Sequence, residues 1–327
     1  MTTPEKLQAI LDDAVASGEE HACQLAVCLD GKLFCDLAAG AADARTIFPL
    51  FSAGKGMLIT ALLRLVERGV LILDAPVAHY WPEFAANGKE RITIRDVLTH
   101  RAGLHILPPA SFAEQADWKH MCGLLAARRP VGVPGTRTRY HALTFAWLAG
   151  EVAARAADKP AAEVVRDEVL LPAGITDFGY GVSPADEART LPVFHRPEDA
   201  DEWLVRFIGD EHIRRACIPA ANAFGTALAL AKHYMAILDG LLSPEMLAEA
   251  LTPPDRSGDP VKGWERFGLG YILWDGGAFG HGGALGAEGF AVPDRRLAVG
   301  FATDTLSAAH PVRDRISEEL DIPPRRW

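Results

Sequence analysis

The chain has few of the features that mark whole classes of protein. Its five cysteines, Cys23, Cys28, Cys35, Cys122 and Cys217, form no C-x-x-C pair. An odd count without paired spacing fits free, mostly buried thiols in a reducing compartment, not a disulfide framework. There is no H-E-x-x-H and no cysteine–histidine spacing suited to zinc, so no metal or cofactor is implied. No run of about 18 uncharged apolar residues offers a membrane span. Met1-Thr2-Thr3-Pro4-Glu5-Lys6 opens an amphipathic helix through Ala16 and not a basic, then apolar, leader. Together these features lead us to expect a cytoplasmic protein. Basic residues are the minority, 33 Lys and Arg against 43 Asp and Glu, for a net charge of −10. That balance argues against nucleic acid or an anionic membrane as the main partner. The short clusters Arg214-Arg215 and Arg325-Arg326 read as solvated surface.

Nearly half of the residues are hydrophobic, 49% of 327, which is ample for a large core. Two apolar runs, Gln24 to Leu29 and Lys32 to Ala38, flank Asp30-Gly31, a strong hairpin signal. Apolar residues then recur at helical spacing from Met57 to Glu67, with Gly69 as a stop. They fall on most sides of that helix, so it should be central. From about Asp74 the character changes. Helices are expected at Ile94–Thr99, Ala113–Ala127, Thr144–Ala156, Ala161–Val169, Thr226–Leu238 and Pro244–Leu251. After Trp264 strands return, at Gly268–Leu273, Phe279–Gly283, Gly286–Val292 and Leu297–Thr303. A helix from Ser307 to Leu320 closes the pattern. We therefore expect an α/β (α+β) protein with an antiparallel sheet flanked by helices. Residues 1–73 and 262–327 would form a discontinuous α/β domain and 74–261 a mainly helical one. A cleft between two such domains is a favoured ligand site.

Ser52 and Lys55 form the only S-x-x-K in the chain, in Phe51-Ser52-Ala53-Gly54-Lys55 at the mouth of the central helix. On a helix, positions i and i+3 share a face, so the hydroxyl and the amine would meet. A Ser hydroxyl needs an adjacent base to act as a nucleophile, and a Lys of lowered pKa can be that base. The same residues also suit a helix cap and a surface charge. A Ser-Lys pair still needs a proton shuttle and oxyanion donors. Tyr140, after the Pro134-Gly135 turn and before an apolar helix, can shuttle, although a lone Tyr more often packs. Phe279-Gly280-His281-Gly282-Gly283-Ala284 reads as a glycine-rich strand that would bring backbone N–H groups close to a ligand. The cysteines lack the basic, exposed setting of a reactive thiol.

Taken in order, these segments resemble the serine β-lactamase and penicillin-binding-protein superfamily. The likeness is to the class C-like branch that includes the family VIII carboxylesterases. Ser52-x-x-Lys55 matches the first motif and Tyr140 the tyrosine motif. His281-Gly282-Gly283 lies where lactamases carry K-T-G. Leu98-Thr99-His100-Arg101-Ala102-Gly103-Leu104 resembles an L-T-H-x-x-G-L segment of the branch. The resemblance implies a β-lactamase-like fold and an acyl-enzyme on Ser52, with Lys55 and Tyr140 sharing the proton transfers. It also implies an oxyanion hole from the backbone N–H groups of Ser52 and Ala284. Gly283 would keep the strand open to substrate, and His105, in the loop after Leu104, would lie near the cleft mouth. Trp118 and Trp203 are aromatic candidates for an acyl pocket, although core packing suits both.

Two departures from the pattern bear on substrate. Relatives acting on lactams or peptides usually have Tyr-x-Asn, whereas this chain has Tyr140-His141-Ala142, and Ala142 cannot donate an amide hydrogen bond. His281 stands in place of a lysine that pairs with a substrate carboxylate, and a neutral His supplies less charge. Both point to a small, neutral carboxylic ester as substrate. A β-lactamase, D-amino-peptidase or acyltransferase on the same machinery is the alternative, and a catalytically inactive binding domain the third.

Overall fold

A computed structural model describes residues 2–196, 201–254, 266–307, 309–323 and 325. Its strands are β1 (Ala22–Leu29), β2 (Lys32–Gly40), β3 (Phe48–Phe51), β4 (Phe178–Tyr180), β5 (Phe194–His195), β6 (Ala223–Gly225), β7 (Ile272–Leu273), β8 (Phe279–Gly282), β9 (Glu288–Val292), β10 (Leu297–Thr303) and β11 (Thr305–Leu306). Six form an antiparallel sheet in the order β2-β1-β10-β9-β8-β7. β1 and β2 are the expected hairpin, turning at Asp30 and Gly31, both with positive φ (51° and 76°) as a D-G turn requires. β1 and β10 then pair along seven residues, from Cys23↔Thr303 to Leu29↔Leu297, so the two ends of the sequence share one sheet.

Strand alternation sorts the two faces of this sheet. Cys23, Leu25, Val27, Leu297, Val299, Phe301, Phe290 and Val292 face one way. They pack with Leu7, Leu11 and Ala14 of the Pro4–Ala16 helix and Val312 and Ile316 of the Pro311–Glu319 helix. The opposite face carries small residues. Ala26, Gly300 and Gly289 stand in line across β1, β10 and β9. The Ala227–Ala236 helix lies directly on this stripe. A Cβ on Gly300 would sit 2.0 Å from the Ala227 carbonyl oxygen, and one on Gly289 would sit 2.7 Å from the Tyr234 ring. The stripe is small because the helix backbone touches the sheet.

The Lys55–Glu67 helix is central, as its all-round apolar pattern predicts, with ten of its thirteen residues buried. It packs against the Phe145–Ala157 helix. Several expected elements are divided. Residues 113–127 form two helices, Phe112–Ala116 and Trp118–Ala127, because the Asp117 carboxylate caps the second by accepting from the His120 N–H. The expected strand at Gly268–Leu273 shortens to β7, since Gly270 turns at φ 88°. The closing helix begins at Pro311, whose fixed φ suits a first turn.

A second sheet, β3-β6-β4, was not foreseen, and two of its strands come from the 74–261 stretch. That stretch also supplies the Ala227–Ala236 helix to the main sheet. The expected boundary near residue 262 lies outside the described residues. Arg325 is not solvated surface. It is buried, with its guanidinium 2.5 Å from Glu288 and 3.6 Å above the Phe290 ring. Arg326 lies outside the described residues. Among the described residues, no helix is long and apolar enough to cross a membrane.

Because the helix seats on bare backbone, Gly300→Ala should lower stability by about 1–3 kcal/mol through overpacking. Denaturant unfolding of wild type and variant measures it, and an unchanged midpoint would show that the helix does not depend on the glycine.

Candidate active site

Ser52 stands at the end of β3. Phe51, just before it, has φ 47° and ψ −130°, a costly conformation for a residue with a Cβ. Ser52–Gly54 is one tight 3₁₀ turn, and the α-helix begins at Lys55. β3 pairs with β6, which brings the segment before β6 to the same place. The turn is tightly fitted, since a Cβ on Gly54 would lie 2.1 Å from that of Ala223.

Lys55 is fully buried. Its Nζ lies 2.8 Å from Ser52 Oγ, 2.8 Å from the Ala142 carbonyl and 2.6 Å from the Ala220 carbonyl. No carboxylate pairs with it among the described residues. Burial without a counter-ion holds its pKa well below the usual range for lysine. A neutral amine has two N–H groups and one lone pair. As placed, Nζ donates to Ser52 Oγ and the Ser52 hydroxyl donates to the Ala220 carbonyl at 3.1 Å. Once the amine is neutral and its N–H groups serve the two carbonyls, its lone pair is left to face the Ser52 hydroxyl. This excludes the surface-charge reading of Lys55.

Tyr140 completes the cluster. Its hydroxyl is hydrogen-bonded to Ser52, and its ring centroid is 5.0 Å from Lys55 Nζ. The ring stacks on Phe267 and meets His100 edge-on. Desolvation pushes the phenol above its ordinary pKa, against the lowering effect of the Ser52 bond. Tyr140 is therefore a neutral phenol at rest, and the amine is the stronger candidate base.

Two buried histidines hold the tyrosine segment. The His141 N–H donates to His100 Nδ1 (3.2 Å), and the Arg139 N–H donates to the His100 carbonyl (2.9 Å). The His141 ring bridges two loops. Nδ1 lies 2.7 Å from the Arg139 carbonyl, and Nε2 accepts from the Leu104 N–H at 3.0 Å. Both bonds need the neutral Nδ1–H tautomer, and burial lowers the ring pKa to about 4. The L-T-H segment and the tyrosine loop are thus one unit.

β8 forms the opposite wall. β7 covers it only at Phe279 and Gly280, so its edge is open from His281 onward. The Gly283 N–H donates inward to the Ala287 carbonyl. Alternation then turns the Gly282 N–H to the open edge, and Ala284 follows in the turn that the Gly286 N–H closes on the Gly283 carbonyl. His281 is buried, its Nδ1 lies 2.8 Å from the Gly282 carbonyl, and burial lowers its pKa to about 3. Gly283 serves packing more than substrate access. A Cβ there would lie 2.2 Å from the Leu50 carbonyl oxygen, so its absence lets β8 close on the strand that delivers Ser52.

Ser52, Tyr140, Ala142, His281, Gly282, Gly283 and Ala284 line one cavity of about 360 Å³. His105 is not among the lining residues and instead rests edge-on against the His141 ring. Neither Trp118 nor Trp203 lines the cavity. Trp118 donates to Glu151, and Trp203 is 44% exposed, stacked on Phe207. A larger cavity of about 630 Å³ lies behind β4; there the Ser183 hydroxyl donates to Asp186 at 2.6 Å, and that carboxylate is also paired with Arg189. The thiols are no rivals, as burial raises Cys28 and Cys35 to about 11 and Cys217 to about 12.

The sequence profile of the β-lactamase family matches residues 7–321. The chain belongs to the β-lactamase family. It is 33% identical to the esterase/β-lactamase LipL of Mycobacterium tuberculosis, over 86% of this chain and 76% of that one. A family VIII carboxylesterase superposes with a TM-score of 0.86 at 27% identity, covering 97% of this chain and 96% of the other. A penicillin-binding-protein homologue from Caulobacter crescentus also gives 0.86 at 27% identity, over 98% of both chains. The protein is a serine hydrolase of this superfamily.

Within this family site, sequence reasoning missed the Ala220 carbonyl, the His141 bridge and the Phe267 platform. A backbone carbonyl gives no side-chain signal, but two histidines so close to the motifs were a signal left unused. The bridge predicts that His141→Leu lowers kcat by about tenfold or more and also lowers Tm, because the Leu104 N–H and the Arg139 carbonyl lose their buried partner. The ring binds a proton less readily folded (about 4) than unfolded (ordinarily about 6.5). Stability should therefore fall as pH drops from about 6.5 towards 4, and the variant should flatten that slope of Tm against pH. An identical slope in the variant would remove His141 from the account.

Proposed function

We propose that the protein is a carboxylesterase that cleaves small neutral esters through an acyl-enzyme on Ser52. The observation that carries this is the 2.8 Å contact between Ser52 Oγ and the buried, counter-ion-free Lys55 amine. The amine takes the Ser52 proton as Oγ attacks the ester carbonyl. The negative charge that develops on the carbonyl oxygen meets the Ser52 and Ala284 N–H groups, a pairing supported by both residues lining the same cavity. Collapse expels an alkoxide, which receives the proton from Lys55 by way of the Tyr140 hydroxyl. Water then attacks the acyl group, with the same two side chains moving its proton back to Ser52. No cofactor enters any step.

The substrate class rests on charge. His281, held neutral by burial, gives no fixed cation on the β8 wall. Arg313 also lines the cavity, but its guanidinium lies 3.0 Å from the Glu288 carboxylate. Ala142 offers a methyl group and a carbonyl already used by Lys55. Such a wall suits an ester better than an anionic, amide-bearing lactam or peptide. The name of the family VIII carboxylesterase supports the same reading, whereas that of LipL covers both esterase and β-lactamase. Five free thiols fit a cytoplasmic setting.

Purified protein should hydrolyse p-nitrophenyl acetate or butyrate, and Ser52→Ala should lower kcat by at least about a thousandfold. A fluorophosphonate should label wild type and not Ser52→Ala. A chromogenic cephalosporin should show kcat/KM at least about tenfold below that of the ester. Faster lactam turnover would assign the chain to the lactamase alternative. Full activity in Ser52→Ala would remove the nucleophile.

A further inference from the structure

A net charge of −10 conceals one segment of opposite sign. Arg128-Arg129-Pro130-Val131-Gly132-Val133-Pro134-Gly135-Thr136-Arg137-Thr138-Arg139 carries four arginines and no acid. Arg128, Arg129 and Arg139 make no ion pair among the described residues, while Arg137 is engaged. The segment also holds two of the most exposed apolar side chains in the described structure, Val131 at 50% and Val133 at 71%. The neighbouring loop, bonded to the segment where the Val131 N–H donates to the Gly103 carbonyl at 2.7 Å, carries a further exposed apolar side chain, Ile106 at 45%.

The segment is fixed at its base. The buried Lys89 ammonium group donates to the Ala126 and Arg128 carbonyls at 2.8 and 2.7 Å. The Gly135 N–H donates to the Arg101 carbonyl at 2.9 Å, and the Arg139 N–H donates to that of His100 at 2.9 Å. Gly132 and Gly135 turn the chain with φ of 76° and 77° on either side of Val133. Asp96, beside Gly135, is occupied in accepting from the Thr93 N–H and hydroxyl. The valines are therefore held out by a braced loop and are not left out by fraying.

Exposed aliphatic side chains among unpaired cations are the pattern of a surface that meets anionic lipid. The apolar tips enter the interface while the guanidinium groups pair with headgroup phosphates. We infer that residues 128–139, with Ile106, dock the protein on an anionic lipid surface. Tyr140 follows Arg139 directly and lines the cavity, so a docked surface adjoins the reaction site. A soluble polyanion would use the arginines but leave the valines without a role.

Sedimentation with phosphatidylglycerol–phosphatidylcholine vesicles tests this, with pure phosphatidylcholine vesicles and soluble heparin in parallel. Wild type should sediment with the anionic vesicles and not the zwitterionic ones. Val131→Ser/Val133→Ser and Arg128→Gln/Arg129→Gln should each lower the bound fraction at least about fivefold. Turnover of a soluble p-nitrophenyl ester by both variants should stay at the wild-type level, which shows that they are folded. No sedimentation of wild type, or losses in neither variant, would overturn the inference. A loss in the arginine variant alone, with heparin bound, would reassign the segment to a soluble polyanion. Because binding is read without turnover, its failure is separate from a failure of the esterase reading.

Discussion

An amine buried without a counter-ion governs the architecture around it. Lys55 Nζ reaches oxygens from three separate stretches of chain, at Ser52, Ala142 and Ala220. Water is excluded, so each of these oxygens has to be present for the amine to be tolerated. The strained Phe51, the tight turn at Gly54 and the pairing of β3 with β6 all serve that requirement. Desolvation then makes the amine basic in the useful sense, as a lone pair and not a charge. The same burial that costs stability supplies the chemistry.

The environment is consistent with that logic. His100, His141 and His281 surround the pair, and burial keeps each of them uncharged near neutral pH. A cation among them would lower the amine's affinity for a proton further but would also attract an anionic substrate. The charged groups nearby have partners instead, Glu288 in ion pairs with Arg313 and Arg325, and the Glu20 carboxylate 2.8 Å from His310 Nδ1. The reacting cluster thus works by hydrogen bonds and excluded water. Arg128, Arg129 and Arg139, without a carboxylate partner among the described residues, lie outside this cluster on the segment that precedes Tyr140.

The legible parts of the sequence were those in which a local pattern and a chemical need coincide. Ser52 and Lys55 could be read because Tyr140, the L-T-H segment and the glycine-rich strand stand in register with them, where the pair alone suits a helix cap and a surface charge as well. The Asp30-Gly31 hairpin and the all-round apolar helix could be read from single-strand or single-helix physics. The β3-β6-β4 sheet could not, because strands of three or four residues carry no periodicity. Gly283 was assigned to substrate access, but its neighbour is the Leu50 carbonyl, more than two hundred residues away in sequence. Arg325 looked like surface for a similar reason, since its partner Glu288 and the Phe290 ring are tertiary neighbours. The site's side chains announced themselves, whereas the backbone that positions them did not.

The pairing of β1 with β10 has a consequence for how the protein is made. Strand β1 is synthesised some 270 residues before its inner partner. Until then the β1–β2 hairpin presents an open edge and two bare faces, one of them the small-residue stripe's first row. The sheet cannot close, and the Ala227–Ala236 helix cannot seat, before Gly300 has left the ribosome. Closure of so long a loop is slow and leaves apolar surface exposed meanwhile. The nucleophile's strand, turn and helix are thus assembled late, and a nascent chain holds Ser52 long before it holds a site.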